Sequence, residues 1–171
     1  MSKIKVAIQG ELGAYSHIAA ERLYKDAEIK TCSTFEETFK VAHDDETYKI
    51  IIPLENSLAG RVADIHYLLP KYKLQIHAEH FQRVEHNLLA RSEAKLEDIK
   101  YVRSHAQAIG QCQNIIMKNK FKTIISADTA GSAKELSSSN DKSIAAIASG
   151  LSAEIYNLKI LKKNIEDEKS N

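Results

Sequence analysis

Ser104-His105-Ala106-Gln107-Ala108 decides the fold of this chain, because it joins a strand-like run to a helix-like one. A strand-like segment precedes it at 99–103, and a helical pattern continues from it to Asn119. Three other stretches have the same arrangement, at 9–16, 53–60 and 127–133. Strands that alternate with helices are typical of an α/β protein that contains parallel sheet. We therefore predict an α/β fold in which four polar helix starts face one cleft.

The predicted elements follow one another along the whole chain. Strand-like segments occur at 4–9, 28–32, 48–53, 74–89, 99–103, 121–126, 143–148 and 158–162. Helix-like segments occur at 15–24, 35–44, 62–69, 106–119, 129–136 and 151–156. Segment 74–89 is long for one strand and has polar interruptions, so we interpret it as a hinge between two lobes. We expect lobe 1 to contain approximately residues 1–78 plus 158–171, and lobe 2 approximately residues 79–157.

Polar residues with the spacing of N-caps mark the starts of the predicted helices. Ser33-Thr34-Phe35-Glu36-Glu37 contains two overlapping capping boxes, and Ser104 begins another. Asp128, and either Asn56 or Ser57, are further cap candidates. These residues predict where the helices begin.

The composition excludes several classes of protein. Lys and Arg total 24 against 23 Asp and Glu, and this net charge of +1 gives no field that favours nucleic acid or an anionic membrane. Cys32 and Cys112 lack C-x-x-C spacing, which fits a reducing compartment and provides no disulfide framework or zinc site. No signal peptide or transmembrane run is visible. We therefore expect a cytoplasmic protein that binds neither nucleic acid nor membrane and holds no metal.

The helix starts suit a small anionic ligand. Ligands of open α/β sheets bind outside the carboxyl ends of the strands. Helix N-termini present unpaired N–H groups and a partial positive charge there. The sequence therefore favours a carboxylate or phosphate ligand, although each motif alone equally fits an ordinary capped helix.

Glu55 is the residue that a helix cap does not explain. It follows the apolar run 50–52 and Pro53, so we expect it beside the end of an interior strand. Desolvation there would favour the protonated carboxyl group and suit it to general-acid catalysis.

The predicted helix 106–119 carries a polar stripe. Gln107, Gln111 and Asn114 are spaced i, i+4 and i+7, so they share one face, which is either solvated or turned to the ligand. Cys112 lies in the neighbouring apolar stripe and is expected to be a small buried hydrophobe rather than a nucleophile.

Taken together, the motifs of this chain resemble the catalytic domain of prephenate dehydratase, from Val6 to Asn171. The resemblance depends on the order and spacing of several short motifs. They are Gly10-x-x-Gly13-Ala14-Tyr15-Ser16, Pro53-Leu54-Glu55-Asn56-Ser57-x-x-Gly60-x-Val62, Val84-x-His86-x-Leu88-Leu89, Ser104-His105-x-Gln107-Ala108-x-x-Gln111-Cys112, Ala127-Asp128-Thr129-Ala130-Gly131-Ser132-Ala133, Ala145-Ala146-Ile147-Ala148-Ser149 and Ile165-x-Asp167.

The resemblance implies a lyase of phenylalanine biosynthesis, part of the aromatic amino acid (shikimate/chorismate) pathway. It would convert prephenate to phenylpyruvate, water and carbon dioxide without a cofactor. The family's domain has two α/β lobes around a cleft, similar to type II periplasmic binding proteins. That architecture agrees with the hinge expected at 74–89.

The resemblance also implies which residues form the site. The catalytic set is Glu55, Asn56, Ser104 and Gln111. The substrate-binding set is Ser16, Ser57, His105, Thr129, Ala130, Gly131 and Ser132. Glu55 and Asn56 would orient the ring end, Thr129 to Ser132 would bind carboxylate through backbone N–H groups, and Ser104 and Gln111 would complete the wall.

The sequence departs from the family pattern at its C-terminus. In the family the Ile-x-Asp segment leads to Asn-x-Thr-Arg-Phe, whose Thr is thought to help donate the proton. Asn171 is the last residue here, so we expect a truncated chain of weak or no activity, without the phenylalanine-binding ACT domain. The family also leads us to expect a homodimer. Two alternatives stay open: an arogenate dehydratase, and a non-catalytic carboxylate-binding module on the same scaffold.

Overall fold

The structure is a computed structural model that describes residues 3–168, and the chain divides into two compact units. The first unit extends to Arg83 and the second begins at Val84. Both are mixed α/β, which confirms the predicted fold class.

The first unit is built on a parallel three-stranded sheet with the order β2-β1-β3. Its elements are β1 (Lys5–Gln9), α1 (Tyr15–Leu23), β2 (Glu28–Cys32), α2 (Phe35–Asp44), β3 (Tyr48–Ile51), β4 (Glu55–Asn56), β5 (Gly60–Arg61) and α3 (Ala63–Tyr72). The central strand β1 is buried because its neighbours pair along both edges and apolar side chains cover it. Phe39 of α2 packs with Ile65 and Leu68 of α3 in a second apolar cluster.

The start of α2 confirms Thr34 as its N-cap. Thr34 Oγ1 accepts a hydrogen bond from the Glu37 N–H at 3.0 Å, and Glu37 Oε2 accepts one from the Ser33 N–H at 2.7 Å. The Glu37 N–H, which the helix leaves unpaired, is thereby satisfied, and the Glu37 side chain also binds the residue before the cap.

The second unit contains a five-stranded sheet with the order β10-β6-β9-β7-β8. Its elements are β6 (Asn87–Ala90), a 3-10 turn (Leu96–Asp98), β7 (Tyr101–Ser104), α4 (Ala106–Gly110), α5 (Gln113–Asn119), β8 (Lys122–Ile125), α6 (Thr129–Ser138), β9 (Ile144–Ala148), α7 (Gly150–Ile155) and β10 (Lys159–Lys162). Strands β7, β8 and β9 are parallel, and β6 runs antiparallel to both β9 and β10.

Both faces of the second sheet are covered. Ala145 and Ile147 of β9 belong to one buried cluster, while Ala146 and Ala148 belong to another. Successive side chains of a strand point to opposite faces, so this alternation shows that β9 is buried on both sides. The unbroken apolar run of β9 is therefore the sequence signature of a central strand.

Two sequence expectations are wrong at the junction of the units. Segment 74–89 is not one long strand: residues 74–86 form no strand, and β6 begins only at Asn87. Residues 159–162 do not belong with the first lobe, because β10 pairs with β6 and completes the second sheet. Residues 169–171 of that expected lobe 1 segment lie outside the described residues.

Candidate active site

Polar loops meet at one edge of the second sheet. The parallel strands β7, β8 and β9 end at this edge with Ser104, Ile125 and Ala148, and each is followed by the start of a helix. Asn87 pairs with Ala148, so the antiparallel strand β6 begins at the same edge. Most of the expected site residues of this unit therefore lie at the carboxyl ends of its parallel strands, where α/β proteins bind ligands.

Ser104 has a role that differs from the expected cap. Its side chain is completely buried, and its Oγ donates a hydrogen bond to the Ile147 carbonyl at 2.7 Å. The N-cap of α4 is His105, whose Nδ1 accepts from the Gln107 N–H at 3.3 Å. Ser104 therefore holds the end of β7 to β9, and His105 begins the helix.

The start of α6 confirms Asp128 as an N-cap. Asp128 Oδ1 accepts from the Gly131 N–H at 2.6 Å, and Ser132 Oγ donates to the Asp128 carbonyl at 2.8 Å. Ala130 and Ser132 are buried, and Thr129 is half-buried. The Gly131 N–H, which we expected to bind a carboxylate ligand, is thus already occupied by a carboxylate of the protein.

The predicted helix 106–119 is broken at its centre. α4 ends at Gly110, and α5 begins at Gln113 after Cys112, which has φ −126° and ψ 30°. The expected stripe through Gln111 and Asn114 is therefore wrong, because helical spacing does not extend across the break.

The break places Gln111 against a buried histidine. Gln111 Oε1 lies 2.9 Å from His86 Nε2, and only 2% of His86 is exposed. Burial lowers the pKa of His86, and the hydrogen bond to Gln111 only partly offsets this. His86 is therefore a neutral imidazole near pH 7, and it can hold the amide of Gln111 without placing a charge at the site.

Residues 165–167 complete this cluster, and reasoning about catalytic side chains missed them. The Ile165 N–H donates to the His86 carbonyl at 2.9 Å, and Glu166 Oε2 accepts from the His86 N–H at 3.0 Å. The Asp167 N–H donates to the Gln111 carbonyl at 2.7 Å. His86 and Ile165-x-Asp167 were visible in the sequence as parts of the family resemblance, but nothing in their local pattern indicated contact.

Cys112 is buried, as expected. Burial raises the pKa of its thiol well above the ordinary value, and the carboxylates of Asp167 and Glu166 raise it further. A thiol held in this protonated form is a packing residue and not a nucleophile.

In the first unit, a glycine loop follows β1. Gly10 and Gly13 have φ values of 97° and 90°, which residues other than glycine rarely adopt. The Gly13 N–H donates to His17 Nδ1 at 3.0 Å, so the first turn of α1 holds the loop. Ser16 is half-buried in that turn, and the N-cap position is Ala14, which has no side-chain hydrogen bond to the helix.

The second loop of the first unit forms a hairpin and does not open a helix. β4 and β5 pair Glu55 with Arg61, and Asn56 Oδ1 accepts from the N–H groups of Leu58 and Ala59 at 3.0 and 2.9 Å. The expected cap at Asn56 or Ser57 is therefore wrong, since the side chain of Asn56 shapes the turn.

Glu55 is exposed, so the desolvation expected for it is not found. It does share an edge of the first sheet with the glycine loop, because β1 and β3 are parallel and both loops follow their carboxyl ends.

Residues 3–168 contain neither a metal-binding cluster nor a membrane-spanning helix. These residues contain no group of three or more His, Cys, Asp or Glu side chains that could hold a metal ion. None of their helices is long and apolar enough to cross a membrane.

Polar loops at the carboxyl ends of parallel strands define a class of α/β proteins that bind small ligands. A family model described as prephenate dehydratase matches residues 6–171. The chain belongs to the prephenate dehydratase family, which confirms the resemblance seen in its motifs.

Individual proteins agree with this assignment. The chain is 40% identical to a bifunctional N-acyl-homoserine lactone acylase/prephenate dehydratase of Komagataeibacter europaeus, over 97% of this chain and 59% of that protein. It is 38% identical to the chloroplastic arogenate dehydratase/prephenate dehydratase 2 of Arabidopsis thaliana, over 99% of this chain and 45% of that protein. The chain therefore spans about half the length of these curated relatives.

A solved structure has the same fold. GqqA, described as a novel type of quorum quenching acylase, superposes with a TM-score of 0.90 at 40% identity, over 95% of this chain and 60% of its own.

Proposed function

We propose that this chain carries the catalytic residues of a prephenate dehydratase in phenylalanine biosynthesis. The match to the family over residues 6–171 is the observation that carries the proposal. In the reaction, the bond to the ring carboxylate breaks and carbon dioxide leaves. The electron pair of the broken carbon–carbon bond moves into the ring. The bond between the ring and the 4-hydroxyl breaks, and that oxygen takes a proton and leaves as water. Phenylpyruvate is the product.

The hydrogen-bonding groups proposed for the second unit suit this chemistry. Its proposed site residues include no Lys or Arg: they are Ser104, His105, Gln111, Thr129, Ala130, Gly131 and Ser132. A tight ion pair on the departing carboxylate would stabilise the ground state, whereas preorganised neutral donors suit a charge that is dispersed as the reaction proceeds.

We assign the roles of the second unit from these contacts. The side-chain NH2 group of Gln111 donates a hydrogen bond to the substrate, while its side-chain oxygen keeps the contact with His86 Nε2. Thr129 and Ala130 lie at the first two positions of α6, where backbone N–H groups lack helical partners, so they are the donors for a carboxylate. Ser104 acts through its hydrogen bond to Ile147 and fixes the end of β7.

In the first unit, Glu55 and Asn56 are the proposed residues for the ring end of prephenate, with Ser16 and Ser57 as binding residues. The exposed position of Glu55 supports access by a ligand. Asn56 holds the β4–β5 turn and thereby fixes the position of Glu55.

Incubation of the full-length protein with prephenate, followed by phenylpyruvate absorbance, tests the proposal. We expect product to form faster than in a control without protein. Absence of product with prephenate and arogenate alike, together with prephenate binding in calorimetry, would establish the non-catalytic carboxylate-binding module instead.

Arogenate is the first alternative substrate. The Arabidopsis relative carries both activities in its name, so its 38% identity favours neither substrate for this chain. Phenylalanine formed from arogenate, at a higher kcat/KM than phenylpyruvate from prephenate, would make arogenate the preferred substrate.

Acylase activity is a second candidate function, favoured by the 40% identity to the bifunctional protein of Komagataeibacter europaeus. Release of a fatty acid from an N-acyl-homoserine lactone would support it. The buried position of Cys112 means that this thiol is not the expected nucleophile for such a reaction.

We further propose that a polypeptide of residues 1–171 by itself turns over prephenate weakly. The family segment with its Thr follows the Ile-x-Asp motif, which ends here at Asp167. Comparing this polypeptide with one extended through Thr-Arg-Phe tests the idea, and equal turnover would contradict it.

A homodimer in the cytoplasm completes the proposal. Both cysteines are free, which supports a reducing compartment. Sedimentation tests the dimer, and cell fractionation tests the location.

A further inference from the structure

The helix break beside Gln111 leaves backbone groups without helical partners. A continuous helix would pair each N–H with the carbonyl four residues earlier. Because α4 ends at Gly110 and α5 begins at Gln113, the N–H groups of Gln113 and Asn114 start a new helix and need other acceptors.

Asp167 satisfies three of these groups from a distant part of the chain. Its carboxylate accepts from the Gln113 N–H at 2.8 Å and from the Asn114 N–H at 3.1 Å. Its own N–H donates to the Gln111 carbonyl at 2.7 Å. One residue therefore closes both sides of the break, with bonds to the end of α4 and to the start of α5.

The neighbours of Asp167 fix the other partner of Gln111. The Ile165 N–H donates to the His86 carbonyl, and the Glu166 carboxylate accepts from the His86 N–H. Nε2 of the same histidine lies 2.9 Å from Gln111 Oε1. The segment 165–167 thus holds the backbone of both residues in the His86–Gln111 pair.

We propose that Asp167 is a positioning residue for catalysis: it fixes the helix break and so sets the direction of the Gln111 amide. The inference rests on the proposed dehydratase function, in which Gln111 touches the substrate. A displacement of about 1 Å can cost on the order of 100-fold in rate, so loss of this anchor reduces turnover without removal of any group that contacts the substrate.

Two substitutions of Asp167 in the full-length protein test the proposal. Asp167→Ala removes both acceptor oxygens, and we expect kcat to fall about 10- to 100-fold, with KM changed much less. Asp167→Asn keeps one acceptor oxygen, and we expect it to restore part of this loss. This variant also covers the case in which Asp167→Ala does not fold.

Thr34→Ala is the matched control, because Thr34 caps α2 in the first unit through the Glu37 N–H. It removes a helix cap and lowers stability, but we expect it to leave kcat within about twofold, since exposed caps affect mainly stability. An equal fall in kcat for Thr34→Ala and Asp167→Ala would reduce Asp167 to a structural cap and overturn the proposal.

The ring nitrogen signals of His86 in NMR give a readout that does not depend on activity. We expect Asp167→Ala to shift the Nε2 signal, because the contact with Gln111 is lost, while Thr34→Ala leaves it unchanged. An unchanged His86 signal in Asp167→Ala would overturn the proposal even if kcat fell. If the unsubstituted protein lacked dehydratase activity, the proposed function would fail, and NMR would still decide whether Asp167 positions Gln111.

Discussion

His17 Nδ1 accepts a hydrogen bond from the Gly13 N–H at 3.0 Å, so the neutral imidazole holds the loop after β1. Nε2 of the same ring lies 3.4 Å from Glu21 Oε1. The ring is therefore the tautomer that carries its proton on Nε2. Protonation of Nδ1 would remove the acceptor that Gly13 uses.

The pH dependence of stability follows from this contact. Burial lowers the pKa of His17, and the carboxylate of Glu21 only partly offsets the effect. As the pH falls below about 6.5, the unfolded chain binds a proton before the folded one does. The free energy of unfolding in urea should therefore decrease from about pH 7.5 to about pH 5.5.

His17→Asn isolates this contribution, because the Asn side chain offers an acceptor oxygen but does not titrate. We expect a shallower decrease in the variant than in the unsubstituted protein, with the remaining slope due partly to His86, whose pKa burial also lowers. Identical slopes in the two proteins would contradict the prediction.

Ser104→Ala should lower stability more than turnover. The substitution removes the hydrogen bond from the buried Oγ to the Ile147 carbonyl, which is worth about 1 kcal/mol net. We expect kcat to fall by less than about threefold, a loss of under about 0.7 kcal/mol, because the hydroxyl is completely buried and already bonded to Ile147. Urea unfolding and the phenylpyruvate assay measure the two effects.

Thr38→Ala is the control for Ser104→Ala. Thr38 is completely buried in the first unit, and its Oγ1 donates to the Thr34 carbonyl at 2.9 Å. Thr38→Ala should lower the free energy of unfolding by a comparable amount and leave kcat unchanged. A loss of kcat in Ser104→Ala as large as that for a substrate-binding residue would show that the hydroxyl acts on substrate.

Local patterns in the sequence predicted most of the longer strands and most helices. β2 and α2 lie at the predicted residues, because polar caps and apolar periodicity both act within a few residues. Asp128 was identified as a cap for the same reason.

Two of the errors have a common physical cause, which is that distant residues decided the structure. Asp167 forms hydrogen bonds on both sides of the break after Gly110, and it lies more than 50 residues further along the chain. Strand β10 belongs to the second sheet because it pairs with β6, and no local feature of residues 159–162 indicates that partner. Asn56 is a residue type that often caps helices, but here its side chain accepts hydrogen bonds from the backbone of a hairpin turn.

Asp128 and Gly131 should be energetically coupled. A Cβ at Gly131 would lie 2.8 Å from Asp128 Oδ2, so Gly131→Ala must displace the carboxylate that caps α6. Replacing Gly in a helix by Ala usually adds about 1 kcal/mol of stability, but loss of the cap costs about the same. We expect almost no change from Gly131→Ala alone and a clear gain in the Asp128→Ala background.

Gly110→Ala provides the comparison for Gly131→Ala. A Cβ at Gly110 would have no neighbour within 4 Å, so this substitution should add up to about 1 kcal/mol by itself. Urea unfolding of the single and double variants measures each value. Equal gains for Gly131→Ala with and without Asp128 would exclude the coupling.

Gln111→Ala should have the largest effect on turnover among the residues of the second unit. Removal of one preorganised donor from a site of this kind costs about 100- to 1,000-fold in kcat. Gln107→Ala is the matched control, because Gln107 is exposed on α4 one turn earlier and should leave kcat within about twofold. The phenylpyruvate assay at saturating prephenate measures both. If the two variants lost the same activity, Gln111 would have no special role, and the contact with His86 would serve packing alone.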